Sequence, residues 1–157
     1  MVTGTIQYQD KSREYLIKEL KSIEALINQP KRSDIAVQLF GLIPLQQSVP
    51  GLFNDLTKQY KDLLDIALNE DPKTKELISD ELHFIGDELC TLKAGASDVL
   101  EIHSIAMELK SKEINPIYAE VFAGKARLIL LELMGYLISD YRKHSLILKS
   151  NQSSKTT

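Results

Sequence analysis

The stretch Asn115–Lys149, NPIYAEVFAGKARLILLELMGYLISDYRKHSLILK, constrains this chain more than any other. Its pattern predicts one long helix. Asn115 caps the start, and Pro116 takes the first helical position, where its missing N–H costs nothing. No further proline follows, and the interior glycines Gly124 and Gly135 each cost only about 1 kcal/mol against alanine. At 1.5 Å per residue the element is roughly 50 Å long. Leu128, Ile129, Leu130, Leu131, Leu133, Met134, Tyr136, Leu137 and Ile138 make its middle apolar nearly all round. A surface helix needs one apolar stripe, so two buried faces are expected here. One packs on its own domain. The other packs on a second subunit, with Leu130, Met134, Leu137 and Ile138 as the expected dimer contacts.

The remaining totals exclude several classes. With 157 residues the chain is long enough for one domain with a real core and room for an added subdomain. A composition of 43% hydrophobic and 26% charged residues fits a globular protein. A net charge of −3 gives no electrostatic case for nucleic acid or for an anionic membrane. Cys90 is the single cysteine, so no disulfide forms within the chain and a cytoplasmic location is expected. The start, MVTGTIQYQDKSREYL, lacks the apolar centre of a signal peptide, and no apolar run is long enough to span a bilayer.

Taken in order, the chain predicts helices throughout. From Gln7 to Gln29, Leu16, Leu20, Ile23 and Ile27 fall on one stripe, and Pro30 ends the helix. A second helix is expected from Ser33 to Leu42. The segment Gly41–Gly51, with two prolines and two glycines, reads as a connector and a subdomain boundary. From Leu52 to Asn69, Leu56, Tyr60, Leu63, Leu64 and Leu68 recur at helical spacing. Asp71–Pro72 is a cap followed by proline. It opens a helix to Lys93 with Leu77, Ile78, Leu82, Ile85 and Leu89 inward, closed by a left-handed glycine stop at Ala94–Gly95. Ser97 caps the next helix, to Lys112, with Leu100, Ile105, Met107 and Leu109 as its apolar positions. No strand-like alternation or repeat is present. The expected fold is all-α: residues 1–50 a helical extension, 51–149 a four-helix bundle, and 150–157 a disordered tail.

The usual catalytic patterns are missing. The sequence has no glycine-rich phosphate loop, Cys-x-x-Cys, HExxH or GxSxG. Glu81–His83 and Glu101–His103 are spaced by two, which on a helix places the groups on different faces, against a metal pair. The expectation is therefore no enzyme, no cofactor and no metal. His103 is the one histidine placed as in a phosphotransfer protein, on a bundle helix, although no lysine or glycine stands in the turn after it. Cys90 reads as a small buried hydrophobe. Arg127, Tyr141 and Arg142 offer either a polar edge for a partner or a solvated helix face.

Two stretches together carry a family resemblance. SDVLEIHSIAMEL contains V-L-E-I-H, and ARLILLELMGYLISDYRKHS contains an arginine-leucine pair, a long apolar run and a closing Tyr-Arg. In this order they resemble the C-terminal domain of the KaiA family of cyanobacterial regulators. Leu56-x-x-x-Tyr60-Lys61 is similar to the Leu-x-x-x-Tyr-Arg of that domain's first helix. Gly135–Tyr136 after an apolar run also resembles the N-terminal domain of RsbU-type stress-response phosphatases. The likeness covers about Leu52 to Lys149, and residues 1–50 have no counterpart in it. It implies a dimeric four-helix bundle without catalysis of its own, which docks a kinase or kinase-like regulator. By the same resemblance Glu101, His103, Arg127, Tyr141 and Arg142 are the partner-binding residues. Glu101 and His103 are expected to lie well apart from Tyr141 and Arg142 within one subunit, and dimerisation to bring them into one groove for an amphipathic tail. The alternative is a histidine phosphotransfer protein using His103. A plain assembly module regulated by the N-terminal helices is a third reading.

Overall fold

A computed structural model describes residues 3–28, 43–69 and 71–154. The helix expected over Ser33–Leu42 lies outside the described residues. All regular structure among the described residues is helical: α1 (Thr3–Ile27), α2 (Leu45–Ser48), α3 (Pro50–Ala67), α4 (Pro72–Thr91), α5 (Ala96–Glu113), a 3-10 turn (Pro116–Tyr118) and α6 (Ala119–Ser153). None of the helices among the described residues is long and apolar enough to cross a membrane.

The ends of these helices follow from local chemistry. The Asp71 side chain accepts from the Lys73 amide at 3.0 Å and Pro72 takes the first helical position. Asn115 caps as expected, accepting from the Ile117 amide at 3.1 Å, but what it opens is the 3-10 turn that leads into α6. Two caps differ from expectation. The left-handed residue closing α4 is Lys93, at φ 58°, and the Ala94 amide reaches back to the Leu89 carbonyl in the six-to-one bond of a Schellman end. Gly95 is extended instead and stands at the N-cap of α5. Ser97 is already inside that helix. The cap is supplied by Asp98, whose Oδ2 accepts from the Gly95 amide at 2.8 Å.

The packing is built from two intimate pairs, α3 on α5 and α4 on α6, with α3 also crossing α4. Phe53, Leu56, Tyr60, Leu63 and Leu64 on α3 meet Val99, Ile102, Ala106 and Met107 on α5 in the core. Ile78, Leu82, Ile85 and Leu89 on α4 and Ile129, Leu133 and Leu137 on α6 belong to the same cluster. Gly86 lets α4 and α6 close: a Cβ there lies 3.2 Å from Tyr136 Cβ. Lys61, Asp65, Lys110 and Glu113 tie α3 to α5 along their outer edge.

The N-terminal part is not a separate layer. α1 lies against α5, α6 and the 3-10 turn and buries Leu16 and Ile23 in the common core, with Leu20 and Ile27 packed on it. Arg127 on α6 holds it there, pairing with Glu19 at 2.8 Å and donating to the Tyr15 hydroxyl. The described part of the connector is docked as well. Leu45 is buried, and its amide donates to Asp98 Oδ1 at 2.9 Å. The two expected units therefore share one interior.

Leu77, expected inward, faces outward, and two apolar positions of α5 lie outside its buried row. Leu77 and Leu109 are exposed, because Ile78 and Met107 hold the inward rows of their helices. Leu100 is half-buried, and Val99 and Ile102 take the interior. At the other end, α6 continues to Ser153, four residues past the end expected for the long helix. Every residue of the helix from Arg142 to Ser153 is exposed, so this end projects beyond the body.

Candidate functional site

His103 was expected at a docking surface, and the structure places it in the core. The inward row of α5 is Val99, Ile102, His103, Ala106 and Met107, so the imidazole enters the interior with its apolar neighbours. Its Nδ1 stands 2.7 Å from the Tyr60 hydroxyl of α3, and the two rings meet edge to face at 5.7 Å. With the tyrosine donating, the ring proton sits on Nε2, which is buried and has no hydrogen-bond partner among the described residues. Burial lowers the histidine from its ordinary 6.5 to about 4 and raises the tyrosine, so the pair is neutral at physiological pH. Neither ring nitrogen is open to a phosphoryl donor. His103 packs as a core residue against Tyr60.

The other expected docking residues make separate contacts within one subunit. Glu101 is half-buried and is not free. Arg127 is committed to Glu19 and Tyr15 and fastens α1. The Tyr141 hydroxyl donates to the Ala94 carbonyl at 2.7 Å, which pins the distal half of α6 beside the start of α5. That contact corrects the expectation that these two ends lie apart within one subunit: in an antiparallel hairpin the start of the first helix runs beside the end of the second. Arg142 is exposed, without an ion pair among the described residues. Cys90 is buried as expected, and desolvation raises its thiol.

Two buried aspartates, Asp98 and Asp140, also lie in the interior. Asp98 accepts two backbone amides and joins α2 to α5, a role fixed by tertiary contact with Leu45. Asp140 faces Gly86, and Lys143 approaches its outer oxygen at 3.9 Å. Neither has a signal in helical periodicity, because each is a polar residue at an apolar register position.

What remains accessible is a set of unpartnered faces on α4 and α6. The expected dimer contacts divide. Leu137 is buried in its own core, Leu130 and Met134 are half-buried against it, and only Ile138 is exposed. The outward stripe is instead Leu128, Leu131 and Ile138, at 67%, 67% and 60% exposure, interleaved with Gly124 and Gly135. A Cβ built at either glycine meets nothing within 4 Å. On α4, Leu77 and Phe84 stand 47% and 53% exposed, two turns apart on one side. Glu76, Asp80, Glu81, Asp87 and Glu88 surround them, none ion-paired among the described residues. This face is acidic around an apolar centre.

Between the two helices, at the start of α4, lies a cleft of about 600 Å³. Ile78, Leu128 and Ile129 form its apolar walls, and Asp71, Lys75, Lys125 and Glu132 bring charges of both signs. Glu132 is held by Ser79 and by Tyr136, whose hydroxyls both donate to Oε1. Its balanced charge favours no ligand class. No protein-family profile, curated protein or solved structure matches the chain.

Proposed function

We propose that this chain is a non-catalytic regulatory protein that works as a homodimer through α6 and docks a partner protein on α4. The observation that carries the reading is the pair of unpartnered apolar faces. Three aliphatic side chains of the central element stand 60–67% exposed on one stripe. Soluble monomers generally avoid contiguous patches of that kind. The α6 stripe has the composition of a self-association seam. The α4 face has the composition of a groove for a basic amphipathic helix: Leu77 and Phe84 take the apolar side, and the ring of carboxylates takes lysines and arginines. The likeness to KaiA- and RsbU-type domains supports a kinase or kinase-like regulator as the class of partner.

The docking half is tested by affinity capture from a native lysate, comparing the unaltered chain with the double variant Leu77→Ala, Phe84→Ala. Both changes are at exposed positions, so the melting temperature stays within a few degrees. A protein retained by the unaltered chain and lost by the variant, with binding that weakens as salt rises, supports the face. Equal retention by both places the docking site elsewhere.

A further inference from the structure

The stripe on α6 carries an orientation. Gly124, Leu128, Leu131, Gly135, Ile138 and Arg142 alternate spacings of four and three, the repeat of a coiled-coil seam. We infer that α6 pairs with α6 of a second copy in antiparallel register, with Leu131 of each chain seated on Gly135 of the other and Arg142 lying over Gly124. This rests on the dimer reading above and specifies its geometry.

The alternatives differ in what meets what. A parallel pair stacks each residue on its own copy. Gly124 then faces Gly124 and Gly135 faces Gly135, leaving two gaps whose lining loses contacts outright. Arg142 faces Arg142, a like-charge contact. In the antiparallel pair each level joins a large residue to a complementary one. Leu131 fills the open space over Gly135, and Leu128 meets Ile138. Arg142 covers Gly124 and comes within about 6 Å, measured along the helix axis, of Glu120 on the second copy. Glu120 is an exposed acid in the first turn of α6, and neither it nor Arg142 has an ion pair among the described residues. From Glu120 to Arg142 the seam runs roughly 33 Å, and a two-fold axis between Leu131 and Gly135 makes it self-complementary. The projecting end of α6 then lies along the start of the other α6, where Ile117, Tyr118 and Val121 are exposed.

The test is cross-linking with a short bismaleimide on the full chain, with the buried Cys90 left in place. Leu128→Cys and Ile138→Cys are made singly, then mixed and equilibrated. The expected result is a covalent dimer in the mixture and none from either variant alone, because like positions lie about 15 Å apart along the antiparallel axis. A dimer from Leu128→Cys alone overturns the orientation. A dimeric mass with no cross-link in any sample overturns the seam while the dimer stands, and a monomeric mass removes both. Gly135→Leu gives an independent readout. It adds a side chain to open space on the protomer, so helicity and melting hold or rise. It also blocks the seat of Leu131, so self-association weakens at least tenfold. Unchanged association contradicts the register.

Discussion

His103 and Tyr60 form a neutral polar contact in the interior, and its stability depends on pH in a defined direction. The folded histidine titrates near 4 and the unfolded one at its ordinary 6.5, so the unfolded state takes up the proton first as pH falls. The stability is fully present above 6.5, declines between 6.5 and 4, and levels off below. The total effect is about 3 kcal/mol. Urea unfolding at pH 7.5, 5.5 and 4.5 is expected to show this loss, and His103→Gln is expected to remove its part of the slope above pH 5. A wild-type slope identical to that of the variant contradicts the assignment. Tyr60→Phe leaves Nδ1 buried without a donor and is expected to cost about 1–3 kcal/mol. Lys93 gives the opposite sign. It holds a left-handed backbone that glycine adopts without strain, so Lys93→Gly is expected to stabilise by roughly 0.5–1 kcal/mol in the same measurement. At this scale the sequence was legible where chemistry is local. The Asp71 and Asn115 caps follow from their neighbours. The Schellman residue and the burial of His103 do not, because neither has a glycine or an apolar side chain to mark it.

Helix existence and inward rows were legible element by element, since the rows Leu16–Ile23, Leu56–Leu64 and Ile78–Leu89 repeat at helical spacing and do face the core. The relation of α1 to the rest was not. A connector with two prolines and two glycines reads as a boundary, yet one buried leucine and one amide bond to Asp98 dock it. Leu16 and Ile23 each represent about 1.5–3 kcal/mol of burial that a chain beginning at Pro50 lacks, and their removal uncovers apolar surface on α5 and α6. Such a fragment is expected to be molten or insoluble, by near-ultraviolet circular dichroism and dye binding, where the full chain melts cooperatively. A cooperative transition of unchanged midpoint contradicts the shared core. The α4–α6 contact has its own test. Gly86→Val forces a branched side chain against Tyr136 and Leu133 and is expected to destabilise by about 1–3 kcal/mol, in contrast to Gly124→Ala, where space is open.

At the scale of the whole molecule, the long helix is the organising element in both sequence and structure, but its two faces are assigned differently. Near-complete apolarity around Leu128–Ile138 announces that two faces need cover. It does not say which, because residues one position apart differ by only 100° around the axis, and Leu137 and Ile138 end on opposite sides of burial. Two of the residues expected at a docking groove are engaged inside the fold: His103 bonds Tyr60 and Arg127 pairs with Glu19. The proposed dimer depends on self-association through the outward stripe of α6. Sedimentation equilibrium of the full chain at tens of micromolar measures this most directly. The expected mass is twice the 17.7 kDa of one chain, falling to the single-chain mass in Leu131→Asp with helicity preserved. A wild-type chain that sediments at 17.7 kDa across that range contradicts it.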